Sequence, residues 1–500
     1  MFDPSTHPIQ YTYGLLVLAI CALCLVIIIA RSLKNRKLSA KPFVITPYLQ
    51  LGPNGGTTSD MELRWLTAAG DEHRYQVVLT TIEPASCPDG QTLRIHVPVV
   101  SALKIHSHSD IALDTPRLYR SHVVALENLP PDTAYAYEIW RDSTVIFSDQ
   151  LHTRKAPHQA FRFVAVGDPG TKGDGQTQVA QRVATVRPDL IVQPGDIVYK
   201  QGLFSEYLSN FFPFQSKLLS RYLSVQVLGN HDVTRPDFRK AHSLSEFPDS
   251  LAWYYVWSLP LNGPRRAALW SNVEPLRGAR HLRRTFKSNT NARYPGMGNY
   301  SFDYGLAHFV VLDANVYMDW SDSVFRQWLQ NDLSQSQAKW KIVVWHQPSF
   351  TSHLRHRVEQ RMRLVADIIQ NAGVKLVLTG HAHHYERSFP LNFHIAATPG
   401  ASLIGKNGNV EGDIQLDKDY DGVTKTKPQG PIYIVTGGGG APLSIVDRDV
   451  PASSDQWQSF TNKLVFDRHS FSIIDVNADS LTVRQMAADG EVFDSFMITQ

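Results

Sequence analysis

Residues 161–170 have the sequence FRFVAVGDPG, a short apolar run that ends in a glycine followed by an aspartate. Four later apolar runs likewise lead directly into residue types that bind metals. They are residues 190–199 (LIVQPGDIVY), 223–232 (LSVQVLGNHD), 340–346 (WKIVVWH) and 374–383 (VKLVLTGHAH). Apolar runs that alternate with helical patterns predict the buried strands of an α/β fold. We therefore expect an α/β domain over residues 160–500.

Two segments between these runs have apolar residues at helical spacing. One is Thr177–Val186, and the other is His356–Asn371, with Gly373 just beyond it as a stop signal. Both are predicted to be helices that lie between strands.

The residue types after the five runs predict a metal centre. Loops at the carboxyl ends of strands in α/β sheets commonly form the functional site, so these loops can bring their side chains to one point. Carboxylates and imidazoles favour Fe, Zn or Mn over a thiolate-bound metal. An aspartate can bridge two cations, and such a metal pair clamps a phosphoryl group during its displacement. Each motif alone is weak evidence for a metal site, but all five follow predicted strands, which argues against coincidence.

The five motifs in this order resemble those of the purple acid phosphatases, a group within the calcineurin-like metallophosphoesterases. They are Asp-x-Gly, Gly-Asp-x-x-Tyr, Gly-Asn-His-Asp/Glu, Val-x-x-His and Gly-His-x-His, and Tyr199 is the distinguishing residue of the group. Pro47–Thr153 is similar to the fibronectin type III-like domain of the larger members, and Gly430–Ala441 is similar to their C-terminal segment. The resemblance implies a catalytic domain of two packed mixed β-sheets flanked by helices.

The resemblance also implies two metal ions and their ligands. The first ion, Fe(III), would be held by Asp168, Asp196, Tyr199 and His383. The second, Fe(II), Zn(II) or Mn(II), would be held by Asp196, Asn230, His346 and His381, with Asp196 as the bridge. Hydroxide bound to the metals would then hydrolyse phosphate monoesters at acid pH.

Two histidines would assist the reaction if the resemblance holds. His231 would contact the phosphate. His356, ten residues after the Val-x-x-His ligand, would protonate the leaving group. His353 is a second candidate for that role, and Arg355 stands where the family often has another histidine.

Two other functions remain open from the sequence. A phosphodiesterase or pyrophosphatase could use the same scaffold and the same ligands with a different pocket. A membrane-tethered binding module with an inactive catalytic domain is the alternative from another class. Because lost ligands are expected of such a module and every expected ligand is present, the sequence favours an enzyme.

The region before the α/β domain has a different pattern. Short segments such as Met61–Leu66, His122–Leu126 and Tyr135–Trp140 alternate apolar with polar residues, and turn residues separate them. This spacing predicts a β-sandwich. We place it at residues 43–155, with Lys155-Ala156-Pro157 at its end.

The N-terminal residues 1–41 are predicted to form a tail, a membrane anchor and a basic linker. Residues 14–30 contain no charge and are dominated by Leu, Ile, Val and Ala, which indicates a single transmembrane helix. A cleaved signal peptide is the alternative, although a basic n-region and a small-residue cleavage site are both missing. The basic residues follow the helix, which favours a cytoplasmic position for the C-terminal side.

Composition narrows the classes of partner. The formal net charge of +3 over 500 residues gives no reason to expect nucleic acid. Cys21 and Cys24 lie in the apolar N-terminal run, so Cys87 is the only cysteine beyond it and a disulfide framework is excluded there. The expected partners are a phosphate ester substrate and a membrane, and the oligomeric state is not predicted.

Overall fold

The computed structural model describes residues 42–55, 61–82, 93–107, 116–233, 243–264, 272–396, 402–405 and 407–500. The predicted membrane anchor at residues 14–30 lies outside the described residues, as do the rest of the tail and the basic linker. Within the described ranges, no helix is both long enough and apolar enough to cross a membrane.

The N-terminal region is a sandwich of two antiparallel four-stranded sheets, in the orders β1-β2-β6-β5 and β4-β3-β7-β8. The strands are β1 Ile45–Gln50, β2 Met61–Ala68, β3 Tyr75–Thr81, β4 Leu93–His96, β5 Val99–Ile105, β6 Arg117–Leu126, β7 Ala134–Arg141 and β8 Thr144–His152. Alternate residues of β7, namely Tyr135, Tyr137 and Ile139, are buried, and the residues between them are partly exposed. The predicted β-rich N-terminal region is therefore confirmed.

The remainder of the chain forms the predicted α/β fold, with two mixed sheets. Its strands are β9 Phe161–Ala165, β10 Leu190–Gln193, β11 Leu223–Gln226, β12 Tyr300–Tyr304, β13 Ala307–Val311, β14 Trp340–Val344, β15 Leu376–Thr379, β16 Tyr385–Ser388, β17 Leu391–Ile395, β18 Gly412–Leu416, β19 Ile432–Thr436, β20 Thr461–Val465, β21 Ser470–Val476, β22 Ser480–Ala487 and β23 Val492–Thr499. The six-stranded sheet has the order β11-β10-β9-β21-β22-β23, and the seven-stranded sheet has the order β12-β13-β14-β15-β19-β16-β20. Strands β17 and β18 form a separate pair.

The five strands that precede the metal-binding motifs are parallel to one another within each sheet. Strands β9, β10 and β11 pair in parallel, and so do β14 and β15. Most of their residues are buried, as expected for strands covered on both faces. Because parallel strands end at the same edge, each sheet presents its motif loops together.

The helices that connect the strands are mostly short. They are α1 Asp174–Val186, α2 Phe204–Glu206, α3 Phe212–Leu219, α4 Trp253–Val256, α5 Arg280–Thr290, α6 Arg293–Gly296, α7 Ser323–Gln335 and α8 Ala366–Asn371, with a π-helical turn Tyr207–Phe211 between α2 and α3. The first predicted helix is present, since α1 contains Thr177–Val186.

The second predicted helix, His356–Asn371, is wrong over most of its length. Only α8 is α-helical, and before it lie two 3₁₀ turns, His356–Val358 and Arg361–Val365. The backbone N–H of Gln360, which an α-helix would bond to the carbonyl of His356, donates instead to the carbonyl of Gly408 at 2.9 Å. The apolar spacing instead arises because side chains of the second 3₁₀ turn, Arg361–Val365, and of α8 are buried in one hydrophobic cluster.

The sandwich braces the strand that leads to the Gly-Asn-His-Asp motif. The side-chain amide of Gln50, at the end of β1, donates to the backbone oxygen of Ser224 in β11 at 3.0 Å. The hydroxyl of Tyr48 donates to the carbonyl of Val256 at 2.6 Å, and that of Tyr137 donates to Ser220 at 2.8 Å. All these contacts are buried, so the sandwich supports the α/β fold close to the motif.

One buried histidine far along the sequence from the motif loops is paired at both ring nitrogens. His308, in β13, contacts Asp303 through Nδ1 at 2.7 Å and Asp332 through Nε2 at 2.9 Å. Burial alone would lower the pKa of His308, but the two carboxylates raise it to about 9. The protonated imidazolium is therefore the stable form over most of the pH range.

Candidate metal centre

The predicted ligands come from the ends of strands in both sheets. In the six-stranded sheet, Asp168 follows β9, Asp196 and Tyr199 follow β10, and Asn230 follows β11. In the seven-stranded sheet, His346 follows β14, while His381 and His383 follow β15. The structure brings all seven residues into one connected group of contacts.

One set of donor atoms is formed by Asp168, Tyr199 and His383. The Tyr199 hydroxyl lies 2.9 Å from Asp168 Oδ1 and 3.1 Å from His383 Nε2. The Asp168 and His383 atoms are themselves 3.6 Å apart. A carboxylate oxygen, a phenol oxygen and an imidazole nitrogen thus converge on a small volume.

A second set is formed around His346. Its Nε2 atom lies 3.2 Å from Asp196 Oδ2, 3.2 Å from Asn230 Oδ1 and 3.3 Å from His381 Nδ1. One ligand atom from each of Asp196, His346 and His381 lies within 4.8 Å of the other two. All three residues are buried, so this set is a compact candidate site for one ion.

Backbone carbonyl groups orient the histidine rings. His346 donates from Nδ1 to Pro194 at 2.7 Å, and His383 donates from Nδ1 to Pro442 at 2.8 Å. His231 donates in the same way to Lys200, also at 2.8 Å. Because Nδ1 is the donor in each ring, Nε2 is the atom directed toward the other site residues. Such hydrogen bonds fix which nitrogen can bind a metal.

Three of the candidate ligands have a strained backbone conformation. Asp168, Asp196 and His381 have φ values of 59°, 49° and 70°, in the left-handed region that side chains with a Cβ seldom adopt. The turns are also tightly packed. A Cβ atom at Gly229 would lie 2.1 Å from Asp196 Oδ1, and one at Gly380 would lie 2.5 Å from Asp168 Oδ2. These glycines therefore allow the candidate ligands to approach the neighbouring turn.

Negative charge is concentrated at the centre. Burial and the nearby carboxylates of Asp168 and Asp196 raise the pKa of Tyr199 well above its ordinary value. Burial would lower the pKa of His346, but Asp196 raises it to about 9. A metal ion held by His346 and Asp196 would neutralise the same carboxylate. Oxygen and imidazole donors without sulfur fit Fe, Zn or Mn, so the residues present suit a dinuclear centre of these metals.

Asp232 has a role that the sequence did not assign. Its carboxylate accepts hydrogen bonds from the backbone N–H of Gly229 at 2.9 Å and of Ile197 at 3.1 Å. It therefore joins the loop after β10 to the loop after β11. Burial, followed by repulsion from Asp196, raises the pKa of Asp232. Its place as the last residue of the Gly-Asn-His-Asp motif was the available signal.

A cavity of about 620 Å³ opens over the centre. Its walls include most of the candidate ligands and a ring of histidine and basic side chains. The histidine and basic residues that line the cavity besides the candidate ligands are Lys200, His231, His353, Arg355, His356 and Arg448. Asp168 and His346 are fully buried beneath these residues. The candidate ligands thus form the inner end of a cavity that solvent can enter.

The two histidines considered for the leaving-group role lie side by side. The ring centroids of His353 and His356 are 4.1 Å apart, and those of His356 and His381 are 4.0 Å apart. His353 is buried, and its Nδ1 accepts from the backbone N–H groups of Arg355 and His356 at 3.3 Å. Burial and the charges of His383 and Arg355 lower the pKa of His356 to about 3. His356 is the less buried of the two, and His353 is engaged in holding the turn.

Two protein-family models match the chain in the α/β region. The model for calcineurin-like phosphoesterases matches residues 161–385. A second model, described as iron/zinc purple acid phosphatase-like protein C, matches residues 430–495. The first match includes every candidate ligand.

Curated relatives have modest sequence identity. Purple acid phosphatase 13 of Arabidopsis thaliana is 27% identical over 343 residues, which cover 64% of this chain and 54% of that protein. Purple acid phosphatase 15 of the same plant is 24% identical over 324 residues, which cover 58% of this chain and 54% of that protein. The chain thus spans about half the length of these relatives.

Solved structures share the fold. A purple acid phosphatase from yellow lupin (Lupinus luteus) seeds, PPD1, aligns with a TM-score of 0.60 at 16% identity, covering 91% of this chain and 74% of that one. A structure of PhoD aligns with a TM-score of 0.53 at 13% identity, covering 92% and 89%. At these identities the likeness concerns the fold.

Proposed function

We propose that this chain, which belongs with the purple acid phosphatases among the calcineurin-like phosphoesterases, hydrolyses phosphate monoesters at acid pH. One observation carries the proposal. Two sets of oxygen and nitrogen donors, joined by the hydrogen bond from the His381 N–H to Asp168 Oδ2 at 2.8 Å, lie at the inner end of an open cavity. Two adjacent cation sites beside a substrate-sized cavity are what two-metal phosphoryl transfer requires.

The proposed ligand roles follow the two sets of donors. Asp168, Tyr199 and His383 would hold one ion, and Asn230, His346 and His381 would hold the other. Asp196 would be a ligand shared by the two ions. When bound, the two metal ions activate water as the nucleophile and neutralise charge on the phosphoryl group.

Two histidines act on the substrate in this proposal. His231 keeps Nδ1 on the carbonyl of Lys200, so Nε2 faces the cavity and, when protonated, donates to a phosphoryl oxygen. His356 donates a proton to the departing alkoxide. Because the pKa of His356 is about 3 in the ligand-free protein, it must gain that proton as the anionic substrate binds. His353 positions the turn that carries it.

The proposal is tested by replacing the carboxylate that both ions share. Asp196→Asn should remove bound metal, measured by elemental analysis, and should abolish hydrolysis of 4-nitrophenyl phosphate. Asp367→Asn is the matched control, because Asp367 is a half-exposed carboxylate that pairs with Arg326. An Asp196→Asn protein with both metals and normal turnover would show that Asp196 is not the shared ligand and that the ligand assignment is wrong.

Paired substrates separate the monoesterase from the phosphodiesterase. The wild-type protein should hydrolyse 4-nitrophenyl phosphate with a higher kcat/KM than bis(4-nitrophenyl) phosphate. His231 and the basic lining suit a dianion, because each added negative charge gains a partner. A preference for the diester would reverse the assignment while keeping the metal centre.

We also propose that residues 14–30 anchor the protein in a membrane as a single span. The support is the uncharged apolar sequence itself. The proposal divides the chain into an anchor and basic linker at 1–41, a sandwich domain at 43–155 and a catalytic domain at 160–500. The full chain should stay with membranes after alkaline carbonate extraction, whereas a chain that starts at Pro42 should be released. Recovery of a mature protein that lacks residues 14–30 would instead identify a signal peptide.

A further inference from the structure

Two arginines on the wall of the cavity share one buried carboxylate. Arg355 and Arg448 both line the cavity, and both pair with Asp449. Arg448 contacts Asp449 Oδ2 through one terminal nitrogen at 2.9 Å and through Nε at 3.3 Å. Arg355 takes the other carboxylate oxygen. The three side chains therefore form one unit, in which we call Arg355 and Arg448 the arginine pair.

The carboxylate that holds the arginine pair is fixed from the protein side. Asp449 Oδ2 accepts from the backbone N–H of Ile445 at 2.9 Å, and the Asp449 carbonyl accepts from the N–H of Leu354 at 2.7 Å. The side chain of Asp449 is only 4% exposed. Asp449 thus joins the loop of Arg448 to the loop of Arg355 and His356, and sets where both guanidinium groups lie relative to the cavity.

The arginine pair keeps unused charge and unused donors. Each arginine side chain is 61% exposed, although both contact the same carboxylate. Two guanidinium groups and one carboxylate leave a net positive charge on this wall. A guanidinium has five N–H donors, so each arginine retains donors that Asp449 does not use. A structural ion pair alone would need only one of these arginines.

We propose that Arg355 and Arg448 form a second phosphate-binding subsite, so that the preferred substrate carries a further phosphate group besides the one that is hydrolysed. This inference rests on the proposed function for the reacting phosphate. Planar guanidinium groups bind phosphate oxygens through paired hydrogen bonds. The subsite and the metal centre line one cavity of about 620 Å³, which has room for an organic bisphosphate.

Matched substrates test the subsite by turnover. The metal-loaded full-length protein is assayed with ethyl, butyl and hexyl phosphate, and with the corresponding diol bisphosphates. We expect kcat/KM to be about tenfold higher for the bisphosphate of the best-fitting length, as one charge-assisted contact predicts. Arg355→Gln and Arg448→Gln should each reduce that ratio toward one. Arg357→Gln removes an equal charge from an exposed residue outside the cavity lining and should leave the ratio unchanged.

A binding measurement keeps the subsite testable without turnover. Calorimetry compares the wild-type affinities for alkane bisphosphonates and the matching alkylphosphonates, which cannot be hydrolysed. Tighter binding of the bisphosphonate that depends on Arg355 and Arg448 supports the subsite even if no ester is cleaved, an outcome that would overturn the proposed function alone. Cleavage of all the esters with no advantage of the second phosphate in either measurement would overturn the subsite and leave the proposed function intact.

Discussion

An alanine at position 229 should disrupt the metal centre, although Gly229 is not itself a candidate ligand. In Gly229→Ala, the new Cβ would lie 2.1 Å from Asp196 Oδ1 and 2.2 Å from the Asp196 backbone nitrogen. Ordinary contacts begin at 3.4 Å, so either Asp196 or the turn at 229 must move by about 1 Å. Asp196 is itself a candidate ligand, and the turn at Gly229 leads directly into another, Asn230. The centre therefore cannot keep its present geometry.

The expected size follows from that displacement. A misplacement of about 1 Å at a catalytic centre costs on the order of 100-fold in rate. Overpacking of a buried site costs about 1–3 kcal/mol of stability, which a folded domain can tolerate. We therefore expect a folded Gly229→Ala protein with much lower metal content and about 100-fold lower kcat/KM toward 4-nitrophenyl phosphate.

The control uses the same substitution where there is space. In the part of the chain that the structure describes, and apart from the two chain neighbours, no heavy atom lies within 4 Å of an added Cβ at Gly70, and Gly70 does not have a positive φ. Gly70→Ala should therefore retain metal, activity and melting temperature. Elemental analysis, steady-state kinetics and thermal melts are run on both variants. If Gly229→Ala keeps both metals and wild-type turnover, close packing of the turns does not position Asp196 and our account of the site geometry is wrong.

Three further predictions concern single side chains. Tyr199→Phe should remove the visible charge-transfer band of iron-loaded protein with a smaller loss of activity than Asp196→Asn; an active, iron-loaded wild type with no band would contradict tyrosinate ligation. His356→Ala should lower kcat for alkyl phosphates much more than for 4-nitrophenyl phosphate, and equal losses would transfer the role to His353. His308 has a pKa of about 9, above its ordinary 6.5. Its stabilisation, up to about 3 kcal/mol, is complete below about pH 6.5 and is lost as the pH rises through about 9. Urea unfolding of wild type should show this loss, and His308→Gln should be nearly insensitive over that interval.

The positions of the strand ends could be predicted from the sequence because the evidence for each one is local. In β10 and β11, an apolar run and the ligand that follows are contiguous in the chain, so no long-range information is needed to place one after the other. The sandwich was predictable for the same reason, since the alternation of apolar and polar residues within a strand such as β7 indicates which face is buried. The predicted α/β fold and the β-rich N-terminal region are both present.

Features that depend on contacts between distant segments were out of reach. The segment His356–Asn371 has helical spacing, but the distant residue Gly408 accepts the hydrogen bond from the Gln360 N–H that a helix would direct to His356. The ion pair between Arg355 and Asp449 could not be predicted from the sequence, because the two residues are far apart in the chain and neither lies in a motif. Local patterns report burial and propensity, whereas these contacts are set by how the loops meet after folding.

The division of the ligands between two sheets has a consequence for assembly. The carboxylates, the phenol and the amide follow strands of one sheet, and all three histidine ligands follow strands of the other. Neither sheet alone can present a complete coordination sphere, so high-affinity binding has to wait until the sheets have docked. An ion that binds only the docked form adds about 2.7 kcal/mol of stability at a concentration of 100 times its Kd. The metals would then stabilise the docked sheets of the α/β core in addition to their role in catalysis. Chelators should therefore lower the melting temperature of the core and speed its unfolding.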